Sequence, residues 1–350
     1  MNIIESSKNF EQISIFYDQE LDFSAIISVH NSVLGPALGG CRLRHYDSME
    51  AALEDVLRLS EGMTYKSSLA GLNLGGGKSV IIPSQKALDQ REKLFLKFAS
   101  WVDSLGGKYI AAEDMGTSVE DVKIMSRVTS HISGSDPAKG GGGDPSPHTA
   151  YGVYLGIGAC LERVFGTPNY KDRKILIQGL GHVGFELAKL LANSGAKIIA
   201  AEPSKETLKR AKEVFDFETC SLDAVYSTEC DVFAPCAMGG ILDGETTKSL
   251  KSKIVAGAAN NQLKTPDVEK ILNERGIIYA PDFAINSGGV IMCAAELLED
   301  GYSESWVTEL VGRVGETIGR ILDRANESGT LAGEVALEMA KERILEKSKQ

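Results

Sequence analysis

Apolar and polar positions along the chain change period several times, and each change marks an element. Alternation of period two predicts strands over Ile13 to Tyr17 and Phe23 to Val29, then a turn in the Gly- and Pro-rich run 34–40, LGPALGG. From Ser48 the spacing of Ala52, Val56, Leu59 and Met63 is helical, and Thr64, Tyr65 and Lys66 continue the element. Three glycines lead into Lys78 and a short apolar strand, Ser79 to Ile82. A helix over Gln85 to Leu105 is predicted next, with Leu94, Phe95, Phe98 and Val102 inward. A strand in 108–118 then presents Glu113 and Asp114 at its end, and a helix runs from Val119 to Val128. The density of Gly and Pro in 133–153 reads as a hinge between domains. Helical spacing returns from Ser303 to the lysine-rich end.

The sharpest transition lies between these regions. Ile175, Leu176 and Ile177 run directly into Gly179, Gly181 and Gly184, a GxGxxG placed between a strand and a helix ending near Asn193. Gly195 ends that helix, and a strand over Lys197 to Ala201 delivers Glu202. In this order the first glycine allows a tight turn, the second lets backbone approach a pyrophosphate, and the third lets helix pack on strand. An acid after the second strand suits the hydroxyls of an adenosine ribose. A bare GxGxxG is weak evidence, because a purely structural βαβ unit can carry one. With strand, helix, strand and acid in sequence around it, a dinucleotide and hydride chemistry are the better reading.

Composition narrows the classes. A chain of 350 residues with 43% hydrophobic content can bury a sizeable core and divide into two domains. A net charge of -11 argues against a nucleic-acid groove, which needs clustered Lys and Arg. No run of 18 apolar residues occurs and the N-terminal residues are acidic, so the expectation is a cytoplasmic protein without a membrane partner. Six cysteines without CxxC spacing and five histidines without HExxH predict reduced thiols and no metal.

Lys78 at the end of its glycine run first looks like a phosphate loop. GxxxxGK[ST] would require glycine at position 72, which is Leu72, and no helix follows, so phosphate cradling is rejected. Glycines beside an ammonium group instead leave room for a substrate. If Lys66 lies nearby, burial and like charge would favour the neutral, basic form of one lysine that general-base chemistry needs. A lone lysine on a helix such as Lys66 is more commonly a snorkelling surface residue. Glu113 and Asp114 stand where α/β enzymes place their chemistry, or they simply precede a helix cap at Ser118.

GPALGG, MTYK, GLNLGGGKS, AAEDMGTS, DPSPHTAYGV, GLGHVG, DVFAPCAMGG, GAANNQL and APDFAINSGGVI, in this order, resemble the amino-acid dehydrogenases of the glutamate, leucine, phenylalanine and valine superfamily, and among them its leucine-specific members. The resemblance covers roughly residues 25 to 300. It implies an α/β protein with an N-terminal substrate and oligomerisation domain over 1–135 and a Rossmann NAD-binding domain over 136–325. A helical tail over 326–350 would return to the first domain, with the active site in the cleft between the two.

Carried over motif by motif, Lys66 resembles the residue that binds the substrate α-carboxylate, Lys78 the one that activates water, and Asp114 the acid that assists proton transfer. Leu38, Gly39, Gly40, Ala112, Val290 and Cys293 resemble the aliphatic pocket, and Asn286 would orient substrate or nicotinamide ribose. The cofactor would meet Thr149, Gly179, Leu180, Gly181, His182, Val183, Gly184, Glu202, Ala237, Met238, Gly239 and Asn261. Glutamate-specific relatives carry a lysine at the position of Leu38. Asp144, Glu202 and Cys293 depart from the pattern, in which Asn, Asp and Val are usual. The implied reaction is reversible NAD-dependent oxidative deamination of leucine, isoleucine and valine to 2-oxo acids and ammonia, in a homo-oligomer, dimer or octamer. The alternatives are a dehydrogenase of phenylalanine or tryptophan and a non-catalytic NAD-binding protein.

Overall fold

The computed structural model describes residues 7–134 and 141–349. The chain forms two compact units. One comprises Met1–Gly143, Val290–Glu304 and Ala340–Gln350, and the other Asp144–Gly289 and Ser305–Met339. The division expected between residues 135 and 136, and the middle of the expected hinge, lie outside the described residues. The C-terminal chain joins the first unit from Ala340 rather than from 326.

The first unit is built on a five-stranded sheet of order β1-β2-β4-β3-β5. Its strands are β1 (Gln12–Asp18), β2 (Phe23–Asn31), β3 (Ala37–Leu43), β4 (Gly75–Pro83) and β5 (Tyr109–Glu113). β2 is antiparallel to β1 and β4, whereas β3 runs parallel to β4 and β5. Two predictions need correction here. The run 34–40 is not a turn throughout, because Ala37 onward enters β3. The three glycines before Lys78 form the start of β4 itself, where missing side chains let backbones close up: a Cβ on Gly39 would fall 1.8 Å from the carbonyl oxygen of Gly77.

Helix α1 (Met49–Leu69) is capped by the Ser48 side chain, which accepts from the Ala51 N–H. It lays Ala52, Leu53, Val56 and Leu57 on Ile26 and Val80 of the sheet. The opposite face is covered by Phe95, Phe98 and Trp101, which close over Phe23, Ile81 and Tyr109. Each large side chain so buried contributes roughly 1.5–3 kcal/mol relative to exposure. The single helix predicted over Gln85 to Leu105 is two, α2 (Gln85–Leu88) and α3 (Arg91–Asp103). Gln90 leaves the helical backbone between them, and Ala87 and Leu94 still reach one core. Past β5, α4 (Val119–Met125) starts at a capping box between Ser118 and Asp121.

The second unit holds a six-stranded, wholly parallel sheet of order β11-β10-β9-β6-β7-β8. Its strands are β6 (Lys174–Gln178), β7 (Lys197–Ala201), β8 (Glu218–Thr219), β9 (Val232–Pro235), β10 (Ile254–Val255) and β11 (Ile278–Tyr279). Chain order reverses between β6 and β9, the switch point at which open α/β sheets bind ligands beyond the carboxyl ends of their strands. Helix α5 (Ser146–Phe165) precedes β6, and α6 (His182–Asn193) follows its glycine turn. The helical pattern from Ser303 resolves into three helices, Glu304–Gly312, Val314–Ser328 and Ala332–Ser348. Gly329, at φ 69°, closes the second of them. No helix among the described residues is long and apolar enough to cross a membrane.

Candidate active site

Strand alternation decides which side chains share the face under α1. Register pairs Leu38 with Gly76 and Ile110, and Gly40 with Ala112. Leu38, Gly40 and Arg42 of β3 therefore look the same way as Gly76, Lys78 and Val80 of β4 and Ala112 of β5. Ser79, Gly77 and Cys41 turn to the other face, where the Tyr109 hydroxyl lies 3.0 Å from Ser79 Oγ and donates to the Gly39 carbonyl at 2.7 Å. A side chain at Gly39 would be directed with Cys41, and its absence lets β3 and β4 approach.

On the α1 face Lys78 Nζ meets Asp114 Oδ2 at 2.9 Å, and the lysine side chain is only 6% exposed. β3 lies between the two parent strands, so the contact passes over Gly40. A Cβ there would fall 2.6 Å from Asp114 Cβ and 3.1 Å from Lys78 Nζ. The chain at Asp114 is fixed by Thr117, whose hydroxyl accepts from the Asp114 N–H at 2.8 Å and donates to the Cys41 carbonyl at 3.0 Å. Gly116 adopts φ 82° to make that turn.

A second cation shares the carboxylate. Arg42 Nε donates to the same Oδ2 at 2.9 Å, and its NH1 donates to Asp55 of α1 at 2.9 Å. Asp55 also accepts from the Tyr46 hydroxyl at 2.8 Å and from Arg58 at 2.9 Å. Burial pushes the Asp114 carboxyl up, but Lys78 and Arg42 outweigh it and hold the group below the ordinary carboxylate value, so it is ionised at neutral pH. Arg42 and Thr117 were not singled out in the sequence. Arg42 lies two residues beyond Gly40, which period two places on the same face.

Lys66 is half-buried in the last turn of α1. Thr64, in the same turn, is what a Cβ on Gly76 would strike at 2.0 Å, and this brings that end of α1 over the Lys78 face. Arg42 is a further cation at this place, sharing the Asp114 oxygen with Lys78. Leu38, Ala112 and Val290 are buried in the first unit, and Cys293 is half-buried. Burial raises the Cys293 thiol to about 12, so it behaves as a small apolar group. All six cysteines are free. Among the described residues no group of three or more His, Cys, Asp or Glu side chains could hold a metal ion.

In the second unit Gly179 turns at φ 93°, and a Cβ on it would strike Ala237 at 2.7 Å. Nothing lies within 4 Å of the Cβ position on Gly181, whereas one on Gly184 would meet the Gly179 carbonyl oxygen at 2.1 Å. The turn is therefore closed on its inner side and open at the start of α6, where free amides suit a phosphate. Glu202 stands beside it, with Oε2 accepting from the Leu180 N–H at 2.8 Å and Oε1 from the Ser204 N–H at 2.9 Å. His182 is exposed, and its Nδ1 lies 3.9 Å from Asp144, whose other oxygen accepts from the Ser146 N–H. Val183 follows in the first turn of α6, and exposed Met238 follows Ala237 beyond β9.

Asn261 takes φ 51°, and its carbonyl accepts from Gly240 at 2.7 Å; a Cβ on Gly239 would press on the carbonyl oxygens of Asn260 and Asn261. Thr149 Oγ1 donates to Pro145 O and sits 2.9 Å from the Cβ position of Gly289. Buried Asn286 donates through Nδ2 to Ala258 O at 3.0 Å and Asn260 Oδ1 at 2.8 Å, which fixes its amide. Its Oδ1 is buried without a protein partner, an acceptor suited to a ligand N–H or O–H. Sequence reasoning missed Gln262, which is fully buried and ties this loop through Gly257 O and Ala259 O.

Comparison with known proteins agrees with both units. Residues 12–131 match the family described as Glu/Leu/Phe/Val dehydrogenase, dimerisation domain, and 140–221 and 202–349 match glutamate/leucine/phenylalanine/valine dehydrogenase. The chain is 46% identical to a leucine dehydrogenase of Thermoactinomyces intermedius over 336 residues, 96% of this chain and 91% of that protein. It is 44% identical to one of Bacillus cereus over the same shares. Among solved structures, L-tryptophan dehydrogenase from Nostoc punctiforme superposes with a TM-score of 0.87 at 34% identity, covering 99% of this chain and 100% of that one.

Proposed function

We propose that this chain, which belongs to the Glu/Leu/Phe/Val dehydrogenase family, catalyses the reversible, NAD-dependent oxidative deamination of leucine, isoleucine and valine to their 2-oxo acids and ammonia. The observation that carries the reading is the Lys78–Asp114 pair, set over glycine on a face whose neighbouring side chains, Leu38 and Ala112, are apolar. Higher identity to leucine dehydrogenases than to the tryptophan enzyme supports an aliphatic over an aromatic substrate. The description of the first matched domain as a dimerisation domain supports a homo-oligomer, dimer or octamer. The acidic composition and free thiols suit the cytoplasm.

The residues of the second unit fit NAD. The open side of the turn at Gly181 and the amides of His182 and Val183 at the start of α6 would take the pyrophosphate, and Glu202, which Leu180 holds through its N–H, the adenosine ribose. Ala237, Met238, Gly239 and Asn261 would line the adenosine side, and Thr149 would meet the carboxamide. Asn286 would offer its unpartnered Oδ1 to ribose or substrate. NAD supplies the acceptor for the hydride that leaves the substrate Cα.

The chain's own groups perform the rest. Lys66 holds the α-carboxylate, and Leu38, Ala112, Val290 and Cys293 enclose the aliphatic side chain. Lys78, in its neutral form, takes a proton from the water that attacks the substrate iminium carbon. Asp114, a carboxylate 2.9 Å away, accepts and returns that proton as ammonia leaves. The product is one 2-oxo acid and one ammonium per NAD reduced. The test is that stoichiometry with leucine as substrate: equal yields of reduced NAD, ammonium and 2-oxo acid are expected, and NAD reduction without ammonium would refute deamination.

A further inference from the structure

Arg42 has no part in the chemistry just described, yet it touches the group that does. Its guanidinium is half-buried between two carboxylates, with Nε on Asp114 Oδ2 and NH1 on Asp55 Oδ2, each at 2.9 Å. Asp55 is in turn fixed by Tyr46 and Arg58, so the guanidinium is anchored on α1 at one end and on the reacting carboxylate at the other. We propose that Arg42 is a positioning residue of the reaction: by sharing Asp114 Oδ2 with Lys78, it sets the direction of the carboxylate and keeps a second fixed positive charge beside the pair.

The geometry favours this over a purely structural ion pair. One oxygen receives both cations, so rotation of the Asp114 side chain away from Lys78 would also break the Arg42 contact. An arginine stays charged at every working pH, so its field on the pair is constant. Facing the pair are Lys78 from β4, Arg42 from β3 and, through Arg42, Asp55 with Tyr46 and Arg58; Cys41 and Tyr109 lie beneath. Of these, Arg42 is the positive neighbour whose loss makes the pair hold a proton more tightly. The pH at which the pair becomes competent as a base then rises.

The inference rests on the reading of Lys78 and Asp114 as the reacting pair, so the full-length wild type is assayed first with leucine and NAD. No turnover by wild type overturns that reading, and with it the role of Arg42. Given turnover, Arg42→Met should lower kcat by ~10-fold or more, change the KM for leucine by less than ~3-fold, and move the acidic limb of the kcat profile to higher pH. Arg42→Lys, which keeps the charge without the fork, should restore the position of the limb and only part of kcat. Asp55→Asn, which touches neither Lys78 nor Asp114, should shift kcat in the same direction by less, and it carries the test if Arg42→Met melts before assay temperature. An unmoved acidic limb in the folded variant, or a loss confined to KM, would overturn the positioning role while leaving the function intact.

Discussion

Lys78 and Asp114 meet at 2.9 Å although their strands are not neighbours, because β3 runs between them and presents Gly40 at the crossing. The missing side chain is what lets the pair form. Gly40→Ala would put a methyl group 2.6 Å from Asp114 Cβ and 3.1 Å from Lys78 Nζ, and one of the two must move. Displacement by about 1 Å typically costs ~10²-fold in rate, so kcat/KM should fall by that order while the circular dichroism spectrum is unchanged. Full activity in Gly40→Ala would contradict the pairing.

Lys78→Ala should remove catalysis and keep the fold and NAD binding, whereas Lys66→Ala should mainly raise the KM for the amino acid. Loss of a general base typically costs ~10²-fold or more. More than about a tenth of wild-type turnover in Lys78→Ala, measured at saturating leucine, would exclude the lysine as base.

Glu202 predicts the choice of cofactor. Its carboxylate is held beside the glycine turn by the Leu180 and Ser204 N–H groups, where it would repel a 2′-phosphate. A preference for NAD over NADP of ~10-fold or more corresponds to only about 1.4 kcal/mol, and Glu202→Ser should narrow it. Equal kcat/KM with the two cofactors would remove Glu202 from this role. The same substitution frees two backbone donors, so the KM for NAD should rise as well.

Glu269 gives a stability signature outside the site. It is buried, accepts from the Gly333 N–H at 2.8 Å, and burial foremost raises its carboxyl to about 7. A raised acid stabilises the fold below its unfolded value, near 4.5, and that contribution is lost as pH rises through 7. The loss amounts to roughly 3 kcal/mol by pH 8. Glu269→Gln keeps an acceptor for Gly333 and removes the titration, so its Tm should exceed that of wild type at pH 8 by more than at pH 5. Parallel Tm curves for the two proteins would refute the assignment.

Much of this was legible in the chain. The turn from Gly179 to Gly184 and the acid at Glu202 follow from local spacing, and the parallel sheet with its switch point between β6 and β9 suits the Rossmann domain that the resemblance implied. Lys78 and Asp114 were singled out separately, but their contact was not, because it depends on β3 lying between β4 and β5. Sequence spacing does not encode strand order. Arg42 escaped notice for the same reason: an arginine near a turn reads as solvated until the run 34–40 is seen to enter a central strand. The glycines before Lys78 read as a shelf because a Gly run lowers strand propensity, and tertiary pairing with β2 and β3 overrode that preference. Gly39 was placed in the pocket by the resemblance alone, and in the sheet its missing side chain lets β3 approach β4.

The most direct test of the account is the ratio of kcat/KM for leucine to that for glutamate, measured with NAD at alkaline pH. In the proposed pocket Leu38, Ala112 and Val290 would offer a side-chain carboxylate no partner, and Cys293 keeps its proton up to about 12. An unpaired charge in such a place costs several kcal/mol, whereas a methylene more or less changes discrimination by only ~1–3 kcal/mol. Leucine, isoleucine and valine should therefore all be oxidised, with leucine favoured over glutamate by ~100-fold or more. Glutamate or tryptophan turned over with a higher kcat/KM than leucine would contradict the pocket and the function built on it.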